Sequence, residues 1–504
     1  MNKELRTVIL LNYIYIGLTN FSSIIMTPFI TRGLGDVQYG LYSLAFSTFC
    51  YFLVADFGIG AMVVRNVTKY QLKKEYEKQE NFLFSALLMF SVFSVVATVF
   101  CMSISYFADV IFKQTFDITL VSDFRLLFNI LTVNTFLLFF QNYFFCIISG
   151  YQKYIFTKVV FIIKIIVRGV CIPVFMLIGG KAWWIFTLDL AITIVTLILF
   201  AGYTLFILKT KIKYHYFDKG LTLKLYYRTA LIYSSIILDN VYWNISSILI
   251  AATIGSAEVG IFAIALTFCQ IFSQLSGTIV GYFLPNVTKL VVEDAPSSAL
   301  TNQMITVARP IFILLSLVLA GFITVGKDFL NIWVGPSFVP AYYLAVIILS
   351  SLLFPQIEVL GETVLQAKNK YTARFFIYLL NAATCFVINY FVIKKFGYTY
   401  SWVGLVIPTV VYRTILMNIN YQKAGLNIMH FIKAVVPKML LVGLITGVEC
   451  YFISRLFAGN VIIFLLKGVL VCVAYAINIW FIYLSKNEKN VVLEKISGFV
   501  RRKA

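Results

Sequence analysis

The chain has 504 residues, of which 61% are hydrophobic and only 12% are charged, and its formal net charge is +20. A soluble protein carries about twice that charged fraction, so composition excludes a water-soluble globular fold. The Lys and Arg residues stand in short segments between apolar runs, which is the pattern that orients membrane spans and not the clustered basic surface that binds nucleic acid. The sequence therefore predicts an all-α integral membrane protein.

The first apolar run follows a short basic lead, Met1 to Arg6. The run continues through Met26-Thr27-Pro28 without a small-residue cleavage site. This predicts an uncleaved first span rather than a signal peptide.

About fourteen segments are long and apolar enough to cross a bilayer, which takes about 20 residues. They lack the alternation that the strands of an outer-membrane barrel would show. The predicted spans are 8–30, 38–64, 82–107, 124–149, 157–178, 184–208, 229–253, 259–283, 307–326, 340–366, 375–394, 402–421, 437–457 and 461–484.

The distribution of Lys and Arg predicts the orientation of these spans. With an even number of spans both termini share a side, and that side receives most of the basic residues, so both termini are expected in the cytoplasm. The basic inside segments are Lys69–Lys78, Lys209–Lys224, Lys368–Arg374 and the tail 485–504. The outside segments hold few basic residues, such as Arg32, Lys113, Lys181, Lys394 and Lys395.

The chain contains an internal repeat. Gly35-Asp-Val-Gln-Tyr-Gly-Leu-Tyr-Ser-Leu-Ala45 is similar to Gly255-Ser-Ala-Glu-Val-Gly-Ile-Phe-Ala-Ile-Ala265, and Asn66-Val-Thr-Lys69 recurs as Asn286-Val-Thr-Lys289, each at a separation of 220 residues. An offset of six spans gives both copies the same orientation, as in parallel transporter repeats with a substrate between the halves. The predicted organisation is an N-lobe (1–208, spans 1–6), a basic amphipathic linker along the membrane surface (209–228), a C-lobe (229–422, spans 7–12), two extra spans (437–484) and a basic cytoplasmic tail (485–504).

Several short motifs carry a family resemblance. They are Arg32-Gly-Leu-Gly35, Gln38-Tyr-Gly40-Leu-Tyr, Asp56-Phe-Gly58-Ile-Gly60, Gly255 to Gly260, Leu284-Pro285-Asn286 and Val364-Leu-Gln-Ala367-Lys-Asn-Lys370. With these motifs the chain resembles the polysaccharide transporter family, which comprises the O-antigen and exopolysaccharide flippases. That family belongs to the multidrug, oligosaccharidyl-lipid and polysaccharide exporter superfamily. The resemblance implies two six-helix lobes around a central cavity and an undecaprenyl-pyrophosphate-linked oligosaccharide as the substrate. It also implies possible coupling to a proton or sodium gradient.

Two basic residues in the fifth span are candidate contacts for an anionic head group, because a charge inside a bilayer is costly and usually functional. Lys164 and Arg168 are one helical turn apart and share a face. A pyrophosphate or an acidic sugar requires fixed positive charge, and Arg offers it a forked donor. The alternative is an ion pair inside the membrane, with Asp56 as a possible partner.

Three further arginines are candidates for the same role. Arg413 lies in the middle of the twelfth span and would extend a lumen that attracts anions. Arg32 and Arg65 end the first and second spans, where interfacial anchoring is the simpler interpretation.

A polar stripe in the seventh span marks a candidate ion-coupling or polar lumen site. Ser235, Asp239, Tyr242 and Ser246 follow one helical face. A carboxylate in the middle of the membrane faces a cavity or another helix and not lipid. Asp239 is therefore either a cation or sugar-hydroxyl site or a partner in an interhelical contact.

The tenth span carries two further candidate carboxylates, Glu358 and Glu362, one turn apart. Two nearby carboxylates share a proton because like charge raises one of their pKa values, which would suit proton coupling. Pro355, on the same face, loosens the helix and suits a hinge. The alternative for Glu362 is simple solvation at the cytoplasmic interface.

The remaining intramembrane charges receive structural interpretations. Glu449 and Lys467 lie at similar depth in the last two spans and are expected to pair, whereas Asp189 is assigned no role beyond burial. The two histidines, His215 and His430, lie in basic loops, so no metal or other cofactor is expected.

The sequence thus favours a flippase over an enzyme. The expected partners are lipid-linked oligosaccharide and membrane lipid, with a polysaccharide polymerase or assembly protein also possible, in a bacterial cytoplasmic membrane. A cation-coupled drug or metabolite antiporter of the same superfamily is the first alternative. A membrane glycosyltransferase or polymerase is the second, and it is disfavoured because no long outside loop, phosphate-binding glycine loop or nucleophile elbow is present.

Overall fold

The computed structural model describes residues 3–53, 59–215, 219–368, 370–456, 461–484 and 489–490, and within them the secondary structure is helical, without β-strands. The α-helices are α1 Lys3–Leu53, α2 Ile59–Leu72, α3 Tyr76–Tyr106, α4 Ala108–Ile111, α5 Ile118–Gly150, α6 Tyr154–Leu177, α7 Ala182–Gly202, α8 Lys219–Thr253, α9 Ser256–Val292, α10 Ser297–Trp333, α11 Ala341–Ile357, α12 Leu360–Ala367, α13 Tyr371–Phe396, α14 Val403–Pro408, α15 Met417–Lys423, α16 Ile428–Leu456 and α17 Val461–Asn478. Segments Tyr203–Ile207, Thr409–Leu416 and Ile479–Tyr483 are π-helical, and Pro336–Phe338 and Tyr398–Tyr400 are 3-10 turns.

Twelve described helices are long and apolar enough to span a membrane, or thirteen when α11 and α12 count as one broken span. The predicted count of fourteen is reached when α1 is divided at Gly35. This residue has φ 72° and ψ 171°, and α1 consists of two helices merged across a kink there. Such a backbone conformation is open to glycine and strained for other residues, so Gly35 separates the predicted spans 8–30 and 38–64.

Helix α3 exposes large apolar side chains and buries several small and polar ones, unlike a helix of a soluble protein. In α3, Val92, Val96 and Val99 are exposed, whereas Ser94 and Cys101 are buried. Small and weakly polar residues on buried faces allow membrane helices to approach closely. The exposed valines form the lipid-facing side of α3.

Clustering of the described contacts divides the chain into two compact units. The first comprises Met1–Ile264 and Tyr378–Gly404, and the second comprises Ala265–Ile377 and Leu405–Ala504. These units place residues of both predicted lobes together, so the lobes 1–208 and 229–422 stay a prediction from the repeat.

In the first unit, α5 packs against α2, α3 and α7, and α1 packs against α6. One core cluster joins α2, α3 and α5 around Val63, Phe90 and Tyr143. The Tyr143 hydroxyl is buried there and donates to the Leu83 carbonyl oxygen at 3.0 Å. This bond satisfies a polar group that neither lipid nor the apolar core could satisfy.

Segments predicted on the same side of the membrane lie together in the first unit. On the predicted inner side, the Gln79 side-chain amide donates to the Tyr151 hydroxyl at 2.8 Å, and Thr210 also bonds that hydroxyl at 3.0 Å. On the predicted outer side, the Gln38 side-chain amide donates to Asp123 at 2.7 Å. Which of these sides faces the cytoplasm stays a prediction.

The described part of the predicted linker, 209–215, packs on the first unit. The His215 backbone N–H donates to Asn81 Oδ1 at 2.8 Å, and its ring lies 3.1 Å from a Glu80 carboxylate oxygen. Tyr214 makes an edge contact with Phe84. These bonds hold the segment against the first turns of α3. Residues 216–218 lie outside the described part, and the predicted position along the membrane surface is untested.

Two equivalent positions of the repeat contact each other in the first unit. A Cβ added to Gly40 would lie 1.6 Å from the backbone carbonyl oxygen of Ser256. A Cβ added to Gly260 would lie 3.0 Å from the Tyr39 ring and 3.4 Å from Gly40. Contact between equivalent residues is expected at an axis of approximate two-fold symmetry, which supports the repeat.

In the second unit the last two helices pack on α10, which also contacts α11. The Ser316 and Tyr475 hydroxyls are 2.6 Å apart, and the Cys450 thiol donates to the Ala320 carbonyl oxygen at 3.5 Å. The spans that follow the repeat thus form part of the core of this unit.

Candidate functional site

The two predicted basic residues of the fifth span share one face of α6, but the structure gives them different surroundings. Arg168 Nε donates to Asp189 Oδ1 at 2.8 Å and Nη2 donates to Oδ2 at 3.2 Å, which makes a bidentate ion pair between α6 and α7. The side chains are 26% and 18% exposed. The side-on fork of Arg168, formed by Nε and Nη2, is therefore occupied by a carboxylate.

A tyrosine completes this cluster. Tyr42, after the kink in α1, is buried and lies close to the Arg168 guanidinium. Its ring stacks on Phe186 with centroids 5.1 Å apart. Side chains from α1, α6 and α7 thus fix the orientation of the guanidinium. We refer to Tyr42, Lys164, Arg168 and Asp189 as the basic cluster.

Lys164 supplies the uncompensated charge of the basic cluster. Its side chain is partly buried, one turn from Arg168. Within the described residues Lys164 has neither a hydrogen-bond nor an ion-pair partner, whereas Asp189 already neutralises Arg168. Asp56, the partner proposed from the sequence, lies outside the described residues. The described part of the basic cluster therefore carries one net positive charge, and Lys164 holds it.

The other three arginines predicted to attract the head group differ in their exposure. Arg65 is exposed on α2 and Arg32 is exposed before the kink in α1. Arg413 is partly buried in the π-helical segment Thr409–Leu416. Arg32 and Arg413 both interact with other groups. A π-helical turn is frequent at functional sites, but a binding role for these three arginines stays a prediction.

The polar stripe of the seventh span packs against α13. Ser246 accepts a 2.7 Å hydrogen bond from the Asn389 amide, and the Tyr242 carbonyl oxygen accepts from the Cys385 thiol at 3.7 Å. Ser235, Tyr242 and Ser246 are buried, whereas Asp239 is partly buried and interacts with other groups. Much of the stripe thus serves helix–helix packing, and a coupling role for Asp239 stays a prediction.

The tenth span is broken at its two carboxylates. Helix α11 ends at Ile357, α12 begins at Leu360, and the two meet at a 43° bend. The Gly361 N–H donates to the Glu358 carbonyl oxygen at 2.8 Å, which is the tighter i→i+3 pattern of a 3-10 turn. The predicted interruption near Pro355 is present, a few residues after the proline.

The bend gives the two carboxylates separate partners. Glu358 is buried, and both its oxygens accept from Asn418 Nδ2, at 2.9 and 3.0 Å. Glu362 pairs with Arg374 at 2.8 Å, with both side chains less than one-fifth exposed. Simple solvation of Glu362 is therefore wrong. A role of either carboxylate in ion coupling stays a prediction.

The expected pairing of Glu449 with Lys467 is replaced by two other contacts. The buried Lys467 ammonium binds Asp328 of α10 at 3.0 Å, and Glu449 accepts from Asn478 at 2.6 Å. The match in depth along the sequence could not identify these partners, because they depend on which face each helix turns towards α10.

The member of the basic cluster that the sequence interpretation did not connect with Arg168 is Asp189. A usable signal was present: Arg168 and Asp189 lie at similar distances from the short turn that joins their antiparallel helices. Opposite charges at equal depth in consecutive spans meet when the two helices face each other, which is the favoured outcome in a bilayer.

The sequence pattern of the family described as polysaccharide biosynthesis protein matches residues 7–291. The chain belongs to this family. None of the curated proteins matches it.

Solved structures with the same fold cover most of the chain. The lipid II flippase MurJ, in an inward closed conformation, is similar with a TM-score of 0.69 and 15% identity, over 93% of this chain and 98% of that one. An inward-facing multidrug resistance MATE family transporter of the MOP superfamily is similar with a TM-score of 0.65 and 14% identity, over 80% and 94%. A MOP superfamily transporter from Pyrococcus furiosus has a TM-score of 0.55 and 13% identity, over 83% and 95%. The polysaccharide biosynthesis family member is therefore a multi-pass membrane protein with the all-α fold of these transporters.

Proposed function

We propose that this protein is a flippase that moves a polyprenyl-pyrophosphate-linked oligosaccharide unit from the inner to the outer leaflet of a bacterial cytoplasmic membrane, for surface polysaccharide synthesis. Family membership supports a step in polysaccharide biosynthesis, and the transporter fold supports translocation rather than bond chemistry. The observation that carries the proposal is the uncompensated Lys164 ammonium beside the neutral Arg168–Asp189 pair, within membrane-spanning helix α6.

An ammonium in this position suits a pyrophosphate head group. Removing a cation from water costs free energy that an anion at contact distance offsets. Lys presents a compact charge with three donors, whereas the Nε and Nη2 groups of Arg168 are bonded to Asp189. In the proposed mechanism Lys164 contacts the pyrophosphate, and Arg168 contributes a fixed polar wall.

Alternating access would then carry the head group across while the polyprenyl chain stays in lipid. Arg413, Arg32 and Arg65 are further candidates to attract the head group along its path. Asp56, Asp239, Glu358 and Glu362 are candidates for coupling to a proton or sodium gradient or for lining a polar lumen.

The first experiment is to locate lipid-linked oligosaccharide in cells that lack this protein. Lipids are extracted for mass analysis, and the head groups are probed from outside with a reagent that does not cross the membrane. We expect completed units to accumulate in the inner leaflet and the wild-type gene to restore their outer exposure. Normal outer exposure without the protein would reject the flippase proposal and favour the small-molecule antiporter that the MATE-like fold also permits.

Complementation with variants tests the role of the basic cluster. Lys164→Ala is expected to reduce outer exposure by about tenfold, which corresponds to about 1.4 kcal/mol, at unchanged protein level. The control is Lys153→Ala, because Lys153 is exposed just before α6 and leaves the basic cluster intact. Equal export by the two variants would remove Lys164 from the mechanism.

A further inference from the structure

A cleft on the first unit lies apart from the basic cluster. It has a volume of about 210 Å³ and forms where the kink of α1, the first turns of α5 and the turn between α6 and α7 meet. The predicted topology places all three segments on the outer side of the membrane. Pockets for drug-sized ligands have volumes of about 300–1,000 Å³, so this cleft accommodates a single small ring.

Glycines make one wall of the cleft from backbone. Gly179, with φ +80°, ends α6, and the Gly180 N–H donates to the Phe175 carbonyl oxygen at 2.8 Å in a Schellman arrangement. A Cβ at Gly180 would lie 2.6 Å from that same oxygen, and a Cβ at Gly33 would lie 2.8 Å from Met176 Cβ. Only glycine fits at these two positions without a shift of the neighbouring atoms of α6.

The rim of the cleft combines donors and acceptors with one aromatic face. Gln38 donates one amide hydrogen to Asp123 at 2.7 Å, so its carbonyl oxygen and second N–H stay available, as do further acceptor sites on the carboxylate. Lys181 and the 38% exposed Trp183 also line the cleft. The first peptide N–H groups of α7, which begins at Ala182, have no partner within the helix.

This set of groups matches the chemistry of a sugar. A pyranose ring has hydroxyl groups that both donate and accept, and it has a face of C–H bonds that packs on an indole. The indole has a negative face that attracts such hydrogens. An inorganic anion would leave Asp123 as a repulsive neighbour, whereas a hydroxyl group can donate to it. Leu126 and Leu127 add apolar surface to the lining of the cleft.

We propose that this cleft binds one pyranose ring on the outer side of the membrane, with the indole of Trp183 stacked on the ring and Gln38, Asp123 and Lys181 bonded to its hydroxyl groups. The ring belongs either to the transported glycan after it reaches the outer leaflet or to a free saccharide outside the cell. The first source rests on the proposed function, but binding itself can be measured without transport.

The test uses the full-length protein in phospholipid nanodiscs free of sugar-based detergent. The probes are the methyl β-pyranosides of glucose, galactose and glucuronic acid, and the oligosaccharide released from the lipid-linked pool. Saturation-transfer NMR is expected to show binding of at least one probe with a Kd of about 1 mM, the range expected for a small ligand with few contacts. Tighter binding of the released oligosaccharide than of every methyl pyranoside assigns the cleft to the transported glycan. Otherwise the cleft takes free saccharides.

Variants determine whether the probe occupies this cleft. Trp183→Ala and Asp123→Ala are each expected to weaken binding about tenfold, and Trp183→Phe to retain most of it because an aromatic face remains. The matched control is Trp402→Ala, a tryptophan next to α14 outside the lining of the cleft. Absence of binding to the wild type, or equal binding by Trp183→Ala and Trp402→Ala at equal thermal stability, overturns the proposal.

The two proposals fail separately. A flippase whose cleft binds no saccharide still shows inner-leaflet accumulation in deleted cells. A protein that binds a pyranose at Trp183 but leaves the lipid-linked units normally exposed retains the site and loses the proposed transport role.

Discussion

Removal of one partner from the Arg168–Asp189 pair should destabilise the protein strongly. Asp189→Leu leaves a guanidinium that is only 26% exposed and has lost both of its described hydrogen bonds. Breaking a buried ion pair in this way costs about 3–5 kcal/mol, because an uncompensated charge stays buried. The partial exposure places the expected loss near the lower end, about 3 kcal/mol.

The double variant Arg168→Leu/Asp189→Leu separates the effect of the ion pair on stability from its effect on transport. Replacement of a buried pair by apolar residues is often neutral or stabilising, so the double variant should recover most of the stability that Asp189→Leu loses. Thermal unfolding in nanodiscs measures this recovery, with Arg65→Leu as an exposed-charge control. A double variant as unstable as Asp189→Leu would refute the ion-pair interpretation. A stable double variant that no longer exports oligosaccharide would show that the Arg168–Asp189 pair contributes to transport as well as to stability.

Two further predictions concern packing and burial. Gly40→Ala should destabilise the protein by about 2–3 kcal/mol, because its Cβ would meet the Ser256 carbonyl oxygen and force a backbone shift; Gly17→Ala on the same helix has open space and should be neutral or slightly stabilising. Asp328→Ala should lower thermal stability more than Lys467→Met, because the first leaves a 4% exposed ammonium unpaired and the second removes it. Equal losses within either pair of variants, measured by thermal unfolding, would contradict the corresponding argument.

The sequence predicts the helical architecture well because the bilayer fixes the length and hydropathy of each span. The kink at Gly35 is an example of a helix boundary that agrees with the predicted spans. Gly35 lies between the predicted spans 8–30 and 38–64, and the backbone there has the positive φ that separates the two halves of α1. The repeat was visible for a similar reason, since at Gly40 and Gly260 an added Cβ would lie within 3.4 Å of a neighbouring backbone atom.

Partner choice inside the membrane was harder to predict. A helical face is readable from spacing, as Lys164 and Arg168 show, but the helix that this face meets depends on the rotation and packing of its neighbours. The sequence therefore placed Lys467 opposite Glu449, and the structure places it opposite Asp328. The same lack of rotational information hid Asn418 as the partner of Glu358.

The charge balance around α6 also bears on how a flippase releases its substrate. A bidentate arginine would hold a pyrophosphate in a fixed geometry and slow its departure, whereas transport requires binding that is favourable enough to enter and weak enough to leave. In the described structure the fork of Arg168 is occupied by Asp189, and the available charge is the single ammonium of Lys164. Such a site recognises the anion and not the shape of the glycan. We therefore expect export through this protein to depend on the pyrophosphate more strongly than on the identity of any one sugar.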